Sequence, residues 1–212
     1  MPRALSRQDV SDFRVRVGAA AAALYAEGGE GAISMREIAR AVGASPMGLY
    51  RYFRDRDAII AYLRTDAFNR FSDQLEQAFA GGRDPFARAR AVGRAYLDFA
   101  LENPADYRLM FDLSQPDDAG DAALATAAGR AAHTVTRHVD DLVAAGIVKG
   151  DPEKIGRALW AAAHGAIVLY LAGRLPRKAD VRTLYFDTMR LAFRGARTPS
   201  TNITAIRKRR KP

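Results

Sequence analysis

The stretch SMREIARAVGASPMGLYRYF, residues 34–53, carries two helix starts and one helix stop within twenty positions. Ser34 is a good N-cap, and Glu37 three residues on can complete a capping box by reaching back to the Ser34 N–H. Ile38, Ala39 and Val42 give the first short helix an inward face. Gly43 then stands where a helix stops on a left-handed residue. Ser45 can cap a second helix, and Pro46 fits its first turn, where the missing N–H costs nothing. Leu49 and Phe53 are four apart and face inward, while Met47 and Tyr50 are three apart and face outward. A short helix, a glycine turn and a capped helix with an exposed aromatic face form the pattern of a helix-turn-helix. The same pattern also suits a pair of packed helices that never meets DNA.

Composition sets the frame around this segment. The chain has 212 residues, 49% of them hydrophobic and 27% charged, enough for one large or two modest domains. It has no cysteine, which excludes disulfides and Cys-based zinc or catalytic sites and fits a reducing, cytoplasmic interior. The start, MPRALSRQDVSDFR, lacks the apolar run of a secretion signal. The most apolar window, residues 158–172, is too short to span a bilayer and reads as a buried helix. Net charge is +9, and it is unevenly placed. Residues 1–70 carry +3, residues 71–194 carry none, and residues 195–212 carry +6 with no acidic residue. A neutral middle between basic ends suits contact with a polyanion. A solvated basic tail gives the same count.

Alanine, leucine and a spacing of three and four run through almost every segment, so the expected fold class is all-α. Turn formers divide the chain into about nine helices, expected at 9–27, 34–42, 46–52, 56–79, 85–102, 104–113, 117–145, 152–172 and 179–194. The expected organisation is a helix-turn-helix domain at 1–55, a larger helical bundle at 56–194, and a disordered basic tail at 195–212.

The run SMREIARAVGASPMGLYRYFRDRDAII closely resembles the N-terminal domain of TetR-family transcriptional regulators. Ser34, Ala39, Gly43, Ser45, Leu49, Tyr50, Tyr52, Phe53, Ile59 and Ile60 carry the resemblance, which covers roughly residues 12–62. It departs at Arg56, where lysine is usual, and at Ala44, where valine is common. The resemblance implies DNA contact by Ser34, Arg36, Ser45, Pro46, Met47, Tyr50, Tyr52 and Arg56. On physical grounds the tyrosines and arginines suit phosphate, Arg36 can also reach a guanine, and Met47 suits a thymine methyl.

The resemblance weakens beyond residue 70. NPADYRLMFD at 103–112 and LWAAAHGAIVLYLAGRL at 159–175 resemble a subgroup carrying Trp, His and Gly, here Trp160, His164 and Gly165. The resemblance also implies a homodimer paired through 152–172 and 179–194, a palindromic double-stranded DNA operator, and a small-molecule effector that releases a repressor. An activator, or a DNA binder without a ligand response, fits the same residues. Tyr96, Phe99, Tyr107, Met110, Phe111, Val135, His138, Trp160 and His164 are candidates to line the effector pocket, and they would equally fill an ordinary core. His133 and His138, five apart, share no helical face, so no metal site is expected. No histidine has a glutamate three residues before it, and no nucleophile elbow or phosphate loop is present, so neither an enzyme nor a cofactor is expected. The tail RKRRK at 207–211 either adds non-specific attraction to DNA or is simply solvated.

Overall fold

The computed structural model describes residues 6–111 and 120–197, except for the side chain of Arg197. The first five residues, most of the SQPDDAG turn and the RKRRK tail therefore lie outside the described residues. Among those described, the chain forms ten α-helices, one 3-10 turn and no strand. The helices are α1 (Arg7–Gly28), α2 (Met35–Ala41), α3 (Pro46–Leu49), α4 (Arg56–Ala80) and α5 (Pro85–Glu102). They continue with α6 (Pro104–Met110), α7 (Ala122–Thr136), α8 (His138–Ala144), α9 (Pro152–Leu171) and α10 (Lys178–Arg197). The 3-10 turn, Glu30–Ala32, follows α1.

Local chemistry sets the helix ends. Ser6 and Asp9 form a reciprocal capping box, so α1 starts at Arg7 and not at residue 9. The Ser34 hydroxyl accepts the Glu37 N–H at 3.1 Å, but the Glu37 carboxylate pairs with Arg40 instead of reaching back. Asp84 with Pro85, and Asp151 with Pro152, start α5 and α9 in the same way as Ser45 with Pro46 starts α3. The helix expected at 117–145 is broken, with α7 ending at Thr136 and α8 starting at His138. The break falls on a β-branched run. Thr134 donates to the Arg130 carbonyl, and Thr136 to those of Ala132 and His133, a back-bonding that bends helices.

The stop after α2 is a full Schellman turn. Gly43 has φ +69°, its N–H donates to the Arg40 carbonyl, and the Ala44 N–H donates to that of Ala39 at 2.9 Å. A Cβ added at Gly43 would meet nothing within 4 Å, so only backbone strain opposes a side chain there. Gly43→Ala is expected to cost about 1–2 kcal/mol, read as a lower thermal midpoint.

The described residues fall into two compact units, one within Met1–Arg70 and Ala105–Gly129, the other within Phe71–Pro104 and Arg130–Pro212. This division runs through α4 and α7. The reason is that α4 feeds two cores. Its first half gives Ile59, Ile60 and Leu63 to a cluster with Val17, Ala21, Ile38, Leu49, Phe53 and Leu109. In the second unit Phe71 meets Tyr96 and Phe99 edge-on, with ring centroids 5.4 and 5.2 Å away. There, Arg130 joins α7 to α4 through both oxygens of Glu76 and through Asp73. Its guanidinium holds the Glu76 carboxyl below the usual carboxylate range.

His138 sits nearly buried in the second unit. Desolvation pushes its imidazole down to about 4, against the opposing pull of Asp141 and Asp140. An unfolded histidine takes its proton near 6.5, so stability is complete above that pH and falls as pH drops from about 6.5 to 4. The gap is worth about 3 kcal/mol. Burial shifts half-buried His164 the same way. Urea midpoints measured from pH 7 to pH 4 are therefore expected to decline steadily, and His138→Leu should flatten most of that decline.

Candidate nucleic-acid interface

In the first unit, α3 is held by its apolar side and open on the other. Leu49 is fully buried and Phe53 nearly so, whereas Met47 is 76% and Tyr50 51% exposed. Exposed bulk of this kind, on the second helix, after the glycine turn, is what a groove-reading surface requires. Ser45 accepts the Gly48 N–H at 3.0 Å and fixes where α3 begins. Ser45 and Pro46 are exposed at that start, and Ser34 is half-buried at the start of α2. The helix closes early, at Leu49. The Tyr52 and Phe53 N–H groups both donate to the Leu49 carbonyl, tightening the last turn before residue 52.

The site residues read from sequence take different positions here. Arg36 is exposed on α2 and has no ion-pair partner among the described residues. Tyr50 stands free on the outer face. Tyr52 was expected beside it but is half-buried, its ring tilted against Phe13 at 4.2 Å. Two residues separate the tyrosines, and on a helical turn that spacing points them to different sides. Arg56 was expected at a phosphate. Its Nε donates to the Ile33 carbonyl at 2.8 Å, and its Nη2 to the Glu30 carbonyl and carboxylate at 2.9 and 2.8 Å. The guanidinium therefore staples the loop before α2 to the start of α4. One amide of that start is also engaged, since Asp55 accepts the Ala58 N–H at 2.8 Å.

Arg51 was not among the residues singled out. It is exposed next to Tyr50 and unpaired among the described residues, so it offers a cation where Arg56 does not. Its position in Tyr-Arg-Tyr, one step from an outward tyrosine, was the available signal.

The nine candidates for a ligand pocket are divided between the two compact units. Tyr107, Met110 and Phe111 belong to the first compact unit, the other six to the second. In the second, Tyr96, Phe99 and Val135 are buried core, and Trp160 donates its indole N–H to the Tyr96 hydroxyl at 3.1 Å. His164 lies beside Trp160, ring centroids 6.4 Å apart. Of the nine, only His138 lines the large cleft of that unit. Among the described residues, no helix is long and apolar enough to cross a membrane.

A capped α2, a Schellman turn and an α3 with one buried and one open face define a helix-turn-helix protein. Residues 19–63 match the family described as bacterial regulatory proteins, tetR family, and residues 89–192 match the tetracyclin repressor-like C-terminal domain. The chain belongs to the TetR family. The second description does not identify the Trp-His-Gly subgroup. The HTH-type transcriptional regulators Rv1816 of Mycobacterium tuberculosis and Mb1846 of Mycobacterium bovis are each 31% identical to the chain over 132 residues. That match takes in 58% of this chain and 52% of theirs, so the chain spans about half the length of these curated relatives. A protein of unknown function from Rhodococcus sp. RHA1 has the same fold, with TM-score 0.77 at 26% identity over 88% of this chain and 96% of its own. The TetR family regulator PfmR from Thermus thermophilus superposes with TM-score 0.66 at 21% identity over 84% and 97%.

Proposed function

We propose that the protein is a cytoplasmic, homodimeric transcriptional repressor that binds a palindromic operator and leaves it when a small molecule binds. The observation that carries this reading is the open face of α3, with Met47 and Tyr50 in solvent above a helix anchored by Leu49 and Phe53. Met47 offers an apolar contact to a base, Tyr50 and Arg51 offer donors to phosphate, and Arg36 reaches from α2. Ser34, Ser45 and Pro46 act by setting where the two helices start. Tyr52 and Arg56 act indirectly, by bracing the unit that presents α3.

One four-residue helix reads too few bases for specificity, and a second copy supplies the missing half-site. The support for pairing is an apolar stripe on the outside of α9 and α10. Val168 and Leu169 on α9, and Leu191 on α10, are exposed at 43%, 45% and 68%. Gly165, one turn before Leu169, has open space around it and would let another helix approach closely. Exposed large apolar side chains on two helices that pack together suit an interaction surface.

The direct test is a gel shift on palindromes from the DNA upstream of the protein's own coding sequence. Arg36→Ala and Tyr50→Phe are each expected to weaken binding by up to about 1–3 kcal/mol, with an unchanged melting temperature. Wild-type affinity in both variants would remove these residues from the interface.

A further inference from the structure

In the second compact unit, α5, α8, α9 and α10 line a cleft of about 730 Å³, a size that suits a small ligand. Its walls are largely apolar. Phe86 comes from α5, Leu142 from α8, Leu159 from α9, and Phe186, Met189 and Phe193 from α10. The α10 residues recur at three and four and so form one stripe.

Charge in the cleft is of one sign. Arg90 and Arg94 of α5 and Arg182, Arg190 and Arg194 of α10 line it, and no Asp or Glu does. Arg182 is held by Asp98 at 2.9 Å, and Arg190 by Asp187. Arg90 and Arg94 have no ion-pair partner among the described residues. They stand four apart on one helix, where like charges repel. Two unneutralised guanidinium groups beside an apolar wall suit a ligand that is negative at one end and hydrocarbon at the other.

A second observation lies at the same wall. His138 also lines the cleft, is only 8% exposed, and has an Nδ1 with no hydrogen-bond partner. Buried polar atoms are normally satisfied, so an orphan at a cleft wall marks a place for a ligand atom. Tyr185 is different, because its hydroxyl already donates to the Gly93 carbonyl at 2.7 Å.

We infer that this cleft binds a small amphipathic anion, its carboxylate or phosphate head held by Arg90 and Arg94 and its apolar chain lying on Phe186, Met189 and Leu159. This gives the effector of the proposed repressor a location and a chemical class, and to that extent rests on that reading. The binding itself needs no DNA, so the two can fail separately.

The test is calorimetric titration of the full-length, DNA-free protein with dodecanoate, dodecyl phosphate and dodecanol below their aggregation limits. At least one anion is expected to bind one per chain, with dodecanol at least about tenfold weaker. Which anion binds better identifies the head. The imidazole nitrogen signals of His138 should shift on binding. The double variant Arg90→Gln, Arg94→Gln should lose at least about tenfold in anion affinity and leave dodecanol unaffected. Met189→Trp should fill the cleft and block all three probes. Equal affinity for anions and alcohol, no binding by any probe, or full anion affinity in the folded double variant would overturn the assignment. If the double variant does not fold, the comparison of anion with alcohol on the wild-type protein decides alone.

Discussion

Val168→Glu is expected to turn the protein into a monomer and to abolish operator binding while α1 to α4 stay folded. Val168 is apolar, lies 43% exposed on α9, and belongs with Leu169 and Leu191 to the outer stripe of α9 and α10. If that stripe pairs with its own copy, two-fold symmetry buries one new carboxylate from each chain. An unpaired buried charge costs about 3–5 kcal/mol, enough to dissociate a typical pair at micromolar concentration. Light scattering reads the change directly, and a gel shift on the same sample reads its consequence. A variant that keeps the wild-type mass would place the pairing surface elsewhere.

The second large effect falls inside the first unit. Leu49 is fully buried, while Met47 two residues away is mostly in solvent. Leu49→Ala should destabilise the protein by about 2–5 kcal/mol, because the cavity lies between helices that cannot collapse onto it freely. Met47→Ala should leave the melting temperature within error and affect only DNA. The contrast separates anchoring from reading on a helix of four residues. Equal melting temperatures for wild type and Leu49→Ala would show that α3 is not seated by its apolar face.

What could be read from the sequence depends on how local each cause is. Ser45, Pro46 and Gly43 act through their own backbone and their near neighbours, so their roles at the ends of α2 and α3 were legible. The helical character of the chain was legible for the same reason. Arg56 was not, because its partners Glu30 and Ile33 lie 26 and 23 residues away, and nothing in RDRD tells an outward arginine from an inward one. Tyr52 depends in the same way on Phe13 from another helix. The aromatic candidates for a pocket show the limit most plainly. Tyr96 and Phe99 look alike in the sequence whether they line a space or sit in a core, and here both are buried. The cleft beside α10 depends on which faces of α5 and α10 meet, a tertiary fact that Arg90, Arg94 and Met189 do not reveal singly.

The central claim is that the open face of α3 reads DNA in two symmetry-related copies. The most direct measurement is fluorescence anisotropy on palindromic duplexes whose half-sites are moved apart one base pair at a time, with the stoichiometry determined in the same experiment. Two chains per duplex are expected, with affinity peaking where the half-sites present successive major grooves, about 34–36 Å centre to centre, and falling on either side. Binding that is indifferent to spacing, or a single chain saturating each duplex, would contradict it.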